Sequence, residues 1–103
     1  MSLQSSNEYM LGTTVVLQAV YYNSLSVPMD ADVSPPVVAE IRDSKARLVQ
    51  TGLVAQRQSQ GTYQVKYKTS GLKEGTYYFV FTAYFDSLPD IKSGSFVLKQ
   101  IMS

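Results

Sequence analysis

The chain has 103 residues, a length that suits one domain, because two cores would each bury too little surface to offset the lost chain entropy. Apolar residues make up 45% of it and charged residues 17%, which is typical of a folded globular domain and excludes a disordered chain. The nine basic and eight acidic residues are scattered, so no basic stripe indicates a nucleic-acid partner.

Cysteine and histidine are both absent. Their absence excludes a disulfide framework and a thiolate metal site, and it removes the commonest general base. Residues 1–12 lack the basic and apolar regions of a signal peptide, and no apolar run approaches the roughly 20 residues of a membrane span. We therefore expect one domain over residues 1–103, with no enzymatic activity, no cofactor, no metal site and no membrane partner.

The first part of the chain predicts strands separated by one long loop. Residues 1–10 are interpreted as an N-terminal strand or arm, and residues 13–22 (TTVVLQAVYY) as a strand rich in β-branched and aromatic residues. Residues 23–36 (NSLSVPMDADVSPP) hold three prolines and no periodicity. Loops of this length are uncommon in compact domains and are often functional. Residues 37–42 (VVAEIR) are predicted to form the next strand.

The middle of the chain carries the clearest strand patterns. Residues 44–47 predict a hairpin turn, and residues 48–56 a weaker strand at a sheet edge. Residues 61–68 (GTYQVKYK) alternate between apolar and polar, which predicts a half-buried strand. After a turn at 69–75, residues 76–85 (TYYFVFTAYF) are apolar on both faces. This pattern predicts a central strand that is covered on its second face as well.

The last part predicts a second long loop at residues 86–94 (DSLPDIKSG) and a final strand at 95–101. Six or seven short strands, with turn signals about every 8–12 residues, are typical of a β-sandwich. In the doubly apolar strand, the alternation predicts that Tyr77 faces the core and Tyr78 does not. The strand phases predict the following core residues: Val15, Leu17, Ile41, Tyr63, Val65, Phe79, Phe81 and Phe96.

Residues 72–78 (LKEGTYY) resemble the turn before strand F of immunoglobulin-like and fibronectin type III domains. With GTYQVKY, EGTYYFVFTA and SGSFVL, the chain resembles the filamin-type repeat. It resembles more closely the immunoglobulin-like domains of tailed-bacteriophage virion proteins and bacterial surface proteins. The resemblance implies an all-β, immunoglobulin-like β-sandwich of about seven antiparallel strands, with a tyrosine corner. The spacing from Leu72 in fibronectin modules would place the corner tyrosine at Tyr78, whereas the alternation favours Tyr77 on the core side. It leaves the strand order open between the immunoglobulin and fibronectin types.

The resemblance also implies a function. We expect a non-enzymatic structural or assembly protein that binds other protein subunits, as a bacteriophage virion component in the head or tail, and located in the virion. A homo-oligomer is compatible with this role. The alternative is an adhesion or carbohydrate-binding module of a secreted or surface bacterial protein. Tyr22, Tyr78 and Tyr84 fall on phases opposite to the core and would supply its stacking faces.

The two long loops carry candidate contact residues. In sandwiches of this kind the corresponding loops emerge at the same end, and both hold apolar residues that a solvated loop does not need. We therefore predict a partner-binding tip, with capping of the core as the alternative role for the same side chains. The tip residues are Val27, Met29, Leu88 and Ile91.

The same loops hold four aspartates, at positions 30, 32, 86 and 90. Calcium takes six to eight oxygen ligands, so Asp30 and Asp32 would be its first candidates. Aspartate also favours turns and solvent, and the spacing matches no recognised calcium loop. The sequence leaves calcium binding by Asp30 and Asp32 open.

Overall fold

A computed structural model describes residues 8–100, and the part of the first and last predicted elements in residues 1–7 and 101–103 lies outside that range. Residues 8–100 contain no helix that is long and apolar enough to cross a membrane. They form eight strands: β1 (Glu8–Met10), β2 (Thr14–Val20), β3 (Val38–Arg42), β4 (Leu48–Val54), β5 (Gln56–Ser59), β6 (Thr62–Lys68), β7 (Gly75–Phe85) and β8 (Leu88–Lys99).

The strands make two sheets, one of five strands in the order β1-β8-β7-β3-β4 and one of three in the order β2-β6-β5. Strands β2, β6 and β5 take the places of B, E and D, and β3, β7 and β8 those of C, F and G, in an immunoglobulin domain. The predicted all-β, immunoglobulin-like sandwich is therefore confirmed. The count of about seven becomes eight because two strands, β4 and β5, replace the one predicted at residues 48–56. The strands are antiparallel except that β1, in the predicted N-terminal strand or arm, runs parallel to β8.

The core lies between the sheets and is filled by alternate residues of each strand. Seven of the eight predicted core residues are buried. The eighth, Phe79, points inward but is only partly buried, and it lies opposite Gly94 of β8. The ring occupies the space beside this glycine, where an added Cβ would come within 2.5 Å of it.

The predicted phase of the doubly apolar strand is confirmed. Tyr77 is 7% exposed, whereas Tyr78 is 43% exposed. The Tyr77 hydroxyl donates a hydrogen bond to the Lys73 carbonyl oxygen at 2.8 Å. This bond to backbone four residues upstream is the tyrosine corner that the resemblance implied.

Two boundary predictions are wrong. Residues 86–94 do not form a loop, because β7 and β8 are joined by a two-residue turn at Asp86 and Ser87, whose φ angles are 53° and 68°. Positive φ at both central residues matches the twist of a tight hairpin. Residues 48–56 do not form one strand either: β4 is at the predicted sheet edge, but the chain crosses to the other sheet at Ala55.

Candidate functional site

The segment between β2 and β3, residues 21–37, lies against the β7–β8 turn at one end of the sandwich. Asp32 makes this contact with three hydrogen bonds. Its amide donates to the Tyr84 carbonyl oxygen at 2.7 Å, and its carboxylate accepts from the amides of Asp86 (3.2 Å) and Ser87 (2.9 Å). A side chain from one connection therefore holds the backbone of the other.

Asp30 fastens the same segment to the β5–β6 turn. Its Oδ1 accepts hydrogen bonds from Arg57 Nε at 3.0 Å and from the Gly61 amide at 2.7 Å. These bonds, the Arg57 bond first, lower the pKa of Asp30 below its ordinary value. The carboxylate is therefore engaged by donors of the protein itself.

The calcium alternative finds little support in this geometry. The carboxylates of Asp30 and Asp32 both accept hydrogen bonds from protein donors that a cation would displace. Between residues 8 and 100, no three residues of the types His, Cys, Asp or Glu form a group that could hold a metal ion. The two aspartates are therefore better suited to holding the loop in place than to supplying some of the six to eight oxygen ligands that calcium takes.

The predicted tip residues do not form one patch. Leu88 and Ile91 are 70% and 63% exposed, but they lie on a strand and not on a loop. Leu88 pairs with Phe85 and Ile91 with Thr82, so their side chains point to opposite faces of the hairpin. On the other connection, Val27 is 47% exposed and Met29 is half-buried. The prediction that Leu88 and Ile91 lie together on a loop is wrong, because they belong to a regular strand whose alternation separates them. Partner binding by the four residues stays a prediction.

A larger apolar surface lies on the outer face of the five-stranded sheet, the face that points away from the three-stranded sheet. One row crosses four strands in register, from Val54 through Val38 and Thr82 to Ile91. Val54 and Ile91, at its two ends, are 61% and 63% exposed. The row therefore presents exposed apolar side chains at its two ends, with Val38 and Thr82 half-buried between them.

A second row on the outer face runs parallel to the first. It places Leu48 beside Arg42 and Arg42 beside Tyr78, with Leu48 51% and Tyr78 43% exposed. Arg42 Nε is paired with Glu40 Oε2 at 2.6 Å between the two rows. The central part of the outer face thus combines exposed apolar residues with one neutralised ion pair.

The sequence contained a signal for this face. Residues 76–85 are apolar at both phases, which predicted a strand covered on its second face as well. In the structure the inner phase of β7 is covered by the core, whereas residues 8–100 form no third layer over the outer phase, where Tyr78 is exposed and its neighbours are half-buried. The length of the loops led to the prediction of a contact site at the tip, whereas the composition of this strand indicated one on the sheet.

Tyr21, at the start of the segment between β2 and β3, is a buried side chain with an unsatisfied polar group. It is 1% exposed, and its hydroxyl has no hydrogen-bond partner. Burial, reinforced by the negative charge of Asp90 and by Tyr63, raises its pKa to about 12. The Lys92 ammonium lies 5.4 Å from the centre of its ring, within the range of a cation–π contact. Tyr21 therefore stays neutral at physiological pH and anchors the Lys92 side chain on the inner face of β8.

The arrangement defines an immunoglobulin-like β-sandwich with an open outer face. A solved structure with the same fold is that of CopC from Methylosinus trichosporium OB3b, with a TM-score of 0.65 and 13% sequence identity. The match covers 97% of this chain and 89% of that one. At this identity the likeness concerns the fold alone. No protein-family model and no curated protein matches the chain.

Proposed function

We propose that the chain is a non-enzymatic structural protein that binds other protein subunits of a larger assembly through the outer face of its five-stranded sheet. The observation that carries the proposal is the pair of apolar faces on β7, only one of which the described chain buries. Contiguous exposed apolar surface on a small domain marks contact sites for other macromolecules. The composition of β7 is that of a strand buried on both faces, so we propose that a partner protein buries its outer face.

The character of the outer face favours a protein partner. Its first row ends in aliphatic side chains at Val54 and Ile91, and its central ion pair between Glu40 and Arg42 leaves no net positive charge there for phosphates. An apolar centre with few charges is typical of protein interfaces. The assembly we propose is a bacteriophage virion, on the strength of the sequence resemblance over most of the chain.

Site-specific photo-crosslinking tests the proposal. A photoreactive phenylalanine analogue at Val54, in the chain expressed from its natural locus, is expected to link to another virion protein in gradient-purified particles. The matched control is Val16, which is 42% exposed on the outer face of the other sheet. A chain missing from particles would overturn the virion assignment, and equal crosslinking from both positions would overturn the choice of face.

The second candidate, an adhesion or carbohydrate-binding module, has one specific observation in its favour. Tyr22 and Tyr78 are 57% and 43% exposed, and exposed aromatic faces are suited to stacking. Binding of the isolated chain to a glycan array, abolished by Tyr22→Ala or Tyr78→Ala, would favour this candidate over the assembly role.

A further inference from the structure

Strand β8 has an open edge over most of its length. It pairs with β7 from Leu88 to Leu98, but β1 accompanies it only at Val97, Leu98 and Lys99. Over the range 8–100, no other strand lies beside residues 88–96 on that side. A strand edge of this kind is a template for a further strand.

The pairing of β7 with β8 decides which backbone groups face the open side. In a hairpin with a two-residue turn, the flanking pair Phe85 and Leu88 exchanges hydrogen bonds, and every second pair after it does the same. The N–H and C=O groups of Pro89, Ile91 and Ser93 therefore point away from β7. Proline has no N–H, so the open edge offers donors at Ile91 and Ser93 and acceptors at all three.

We propose that two copies of the chain pair antiparallel through this edge, about a two-fold axis at Ile91. Ile91 then exchanges two hydrogen bonds with Ile91 of the second copy. Ser93 donates to the carbonyl oxygen of Pro89 in the second copy, and the symmetry repeats this bond. The missing N–H of proline falls at the outer end of the pairing, where its cost is small.

The charges on β8 select this register. An axis at Ile91 places Asp90 of one copy directly opposite Lys92 of the other, and symmetry makes two such pairs. An axis at Ser93 would set Lys92 opposite Gly94 and Asp90 opposite Phe96, and an axis at Pro89 would lack both central donors. Opposite charges across neighbouring strands stabilise an antiparallel pair, and like charges destabilise it. Of the three axes, only the one at Ile91 satisfies both backbone and charges.

The apolar and steric features agree with the same axis. Ile91 is 63% exposed alone, and the axis brings its side chain beside that of the second copy on the outer face. The row that starts at Val54 then continues without interruption into the second copy. The pairing ends where Leu88 of one copy meets Gly94 of the other, three residues short of Val97, where β1 begins. The two β1 strands therefore keep their places.

This pairing goes beyond the proposed function, because the partner is the chain itself, and it stands without that function. Sedimentation equilibrium of the purified chain at high micromolar concentration is expected to give the mass of two chains. D90K places like charges opposite each other in a homodimer, and so does K92D. Each variant alone is expected to weaken the dimer by about tenfold or more.

The decisive sample is an equimolar mixture of D90K and K92D, because the mixed pair restores two attractive contacts. The mixture is expected to recover the mass of two chains, as a heterodimer that mass spectrometry detects. K66D, on the outer face of the three-stranded sheet, is the matched control and is expected to remain dimeric. A monomeric wild-type chain, or a D90K and K92D mixture no more associated than either alone, would overturn the pairing. Neither result bears on crosslinking from Val54, so the two proposals fail separately.

Discussion

Gly61 lies where the β5–β6 turn contacts the chain at Tyr21 and at Met29. A substitution there tests how much these contacts contribute to stability. Its φ is +76°, and a Cβ placed on it would lie 2.7 Å from the Tyr21 carbonyl oxygen and 2.8 Å from the Met29 amide nitrogen. These two groups are bonded to each other, because the Met29 amide donates to the Tyr21 carbonyl oxygen at 3.0 Å. The adjacent Tyr21 amide donates to the Gly61 carbonyl oxygen at 2.8 Å. Gly61→Ala therefore strains the backbone and displaces two hydrogen bonds.

The expected loss of stability has two parts. An alanine at this φ costs about 1–2 kcal/mol, because left-handed backbone brings Cβ close to the carbonyl oxygen. Each displaced backbone bond contributes about 0.5–1.5 kcal/mol, so the total is about 2–5 kcal/mol. Gly71→Ala is the matched control, since its φ is +87° but nothing lies within 4 Å of its Cβ position. It is expected to lose only the backbone part.

Urea unfolding followed by circular dichroism measures both variants under the same conditions. Gly61→Ala is expected to unfold at clearly lower urea than Gly71→Ala, with an unchanged slope if both states keep their compactness. Equal midpoints for the two variants would refute the reasoning. They would mean that residues 21–29 move away from the β5–β6 turn without cost.

Two further predictions concern the core. Phe81→Ala is expected to cost about 3–5 kcal/mol in urea unfolding, because Phe81 is fully buried, whereas Tyr78→Ala on the exposed phase is expected to cost much less; similar losses would contradict the assigned phase. Tyr21→Phe is expected to be neutral or stabilising at pH 7, because it removes a buried hydroxyl without a partner. The folded-state pKa of Tyr21 is raised from 10.0 to about 12, so the unfolded chain ionises before the folded one does. The free energy of unfolding of the wild type is therefore unaffected by this group below pH 10 and falls as the pH rises through 12. The stability of Tyr21→Phe relative to wild type should therefore grow across that interval, and a constant difference would contradict it.

The strand phases could be predicted from sequence because they depend on local alternation. Val15 to Ala19 and Tyr63 to Tyr67 alternate in a way that only one burial pattern satisfies, and the structure buries the predicted side. Tyr77 could be chosen over Tyr78 by the same rule. Each of these assignments used only neighbouring residues.

The β7–β8 turn could not be predicted, because its cause is distant in sequence. Asp86 and Ser87 lack the glycine that usually marks a tight hairpin turn, and serine rarely adopts positive φ. Their amides are held by the carboxylate of Asp32, 54 and 55 residues away. Local composition therefore indicated a loop, whereas a tertiary contact made a turn.

The change of sheet at Ala55 likewise has no local signal. Val54 and Gln56 lie in different sheets, and one residue between them carries the chain across. The Ala55 amide donates to the Val37 carbonyl oxygen at 2.9 Å, a contact that exists only once β3 is in place. The outer face could be predicted in part, since the apolar composition of β7 indicated that both of its faces are covered. Its full extent depends on the register of four strands, which no single segment encodes.

The parallel pairing of β1 with β8 determines how the domain would respond to tension along the chain. A pull that enters through Glu8 and leaves through Lys99 would slide the two strands past each other along their length. The three residue pairs between them would then be loaded together and not one after another, as in a hairpin opened from its end. Tyr9 also packs edge-on against Phe96, with ring centres 6.4 Å apart, and resists the same sliding. When its two ends are pulled apart, the domain therefore bears the force first at this short seam, before the core is disturbed.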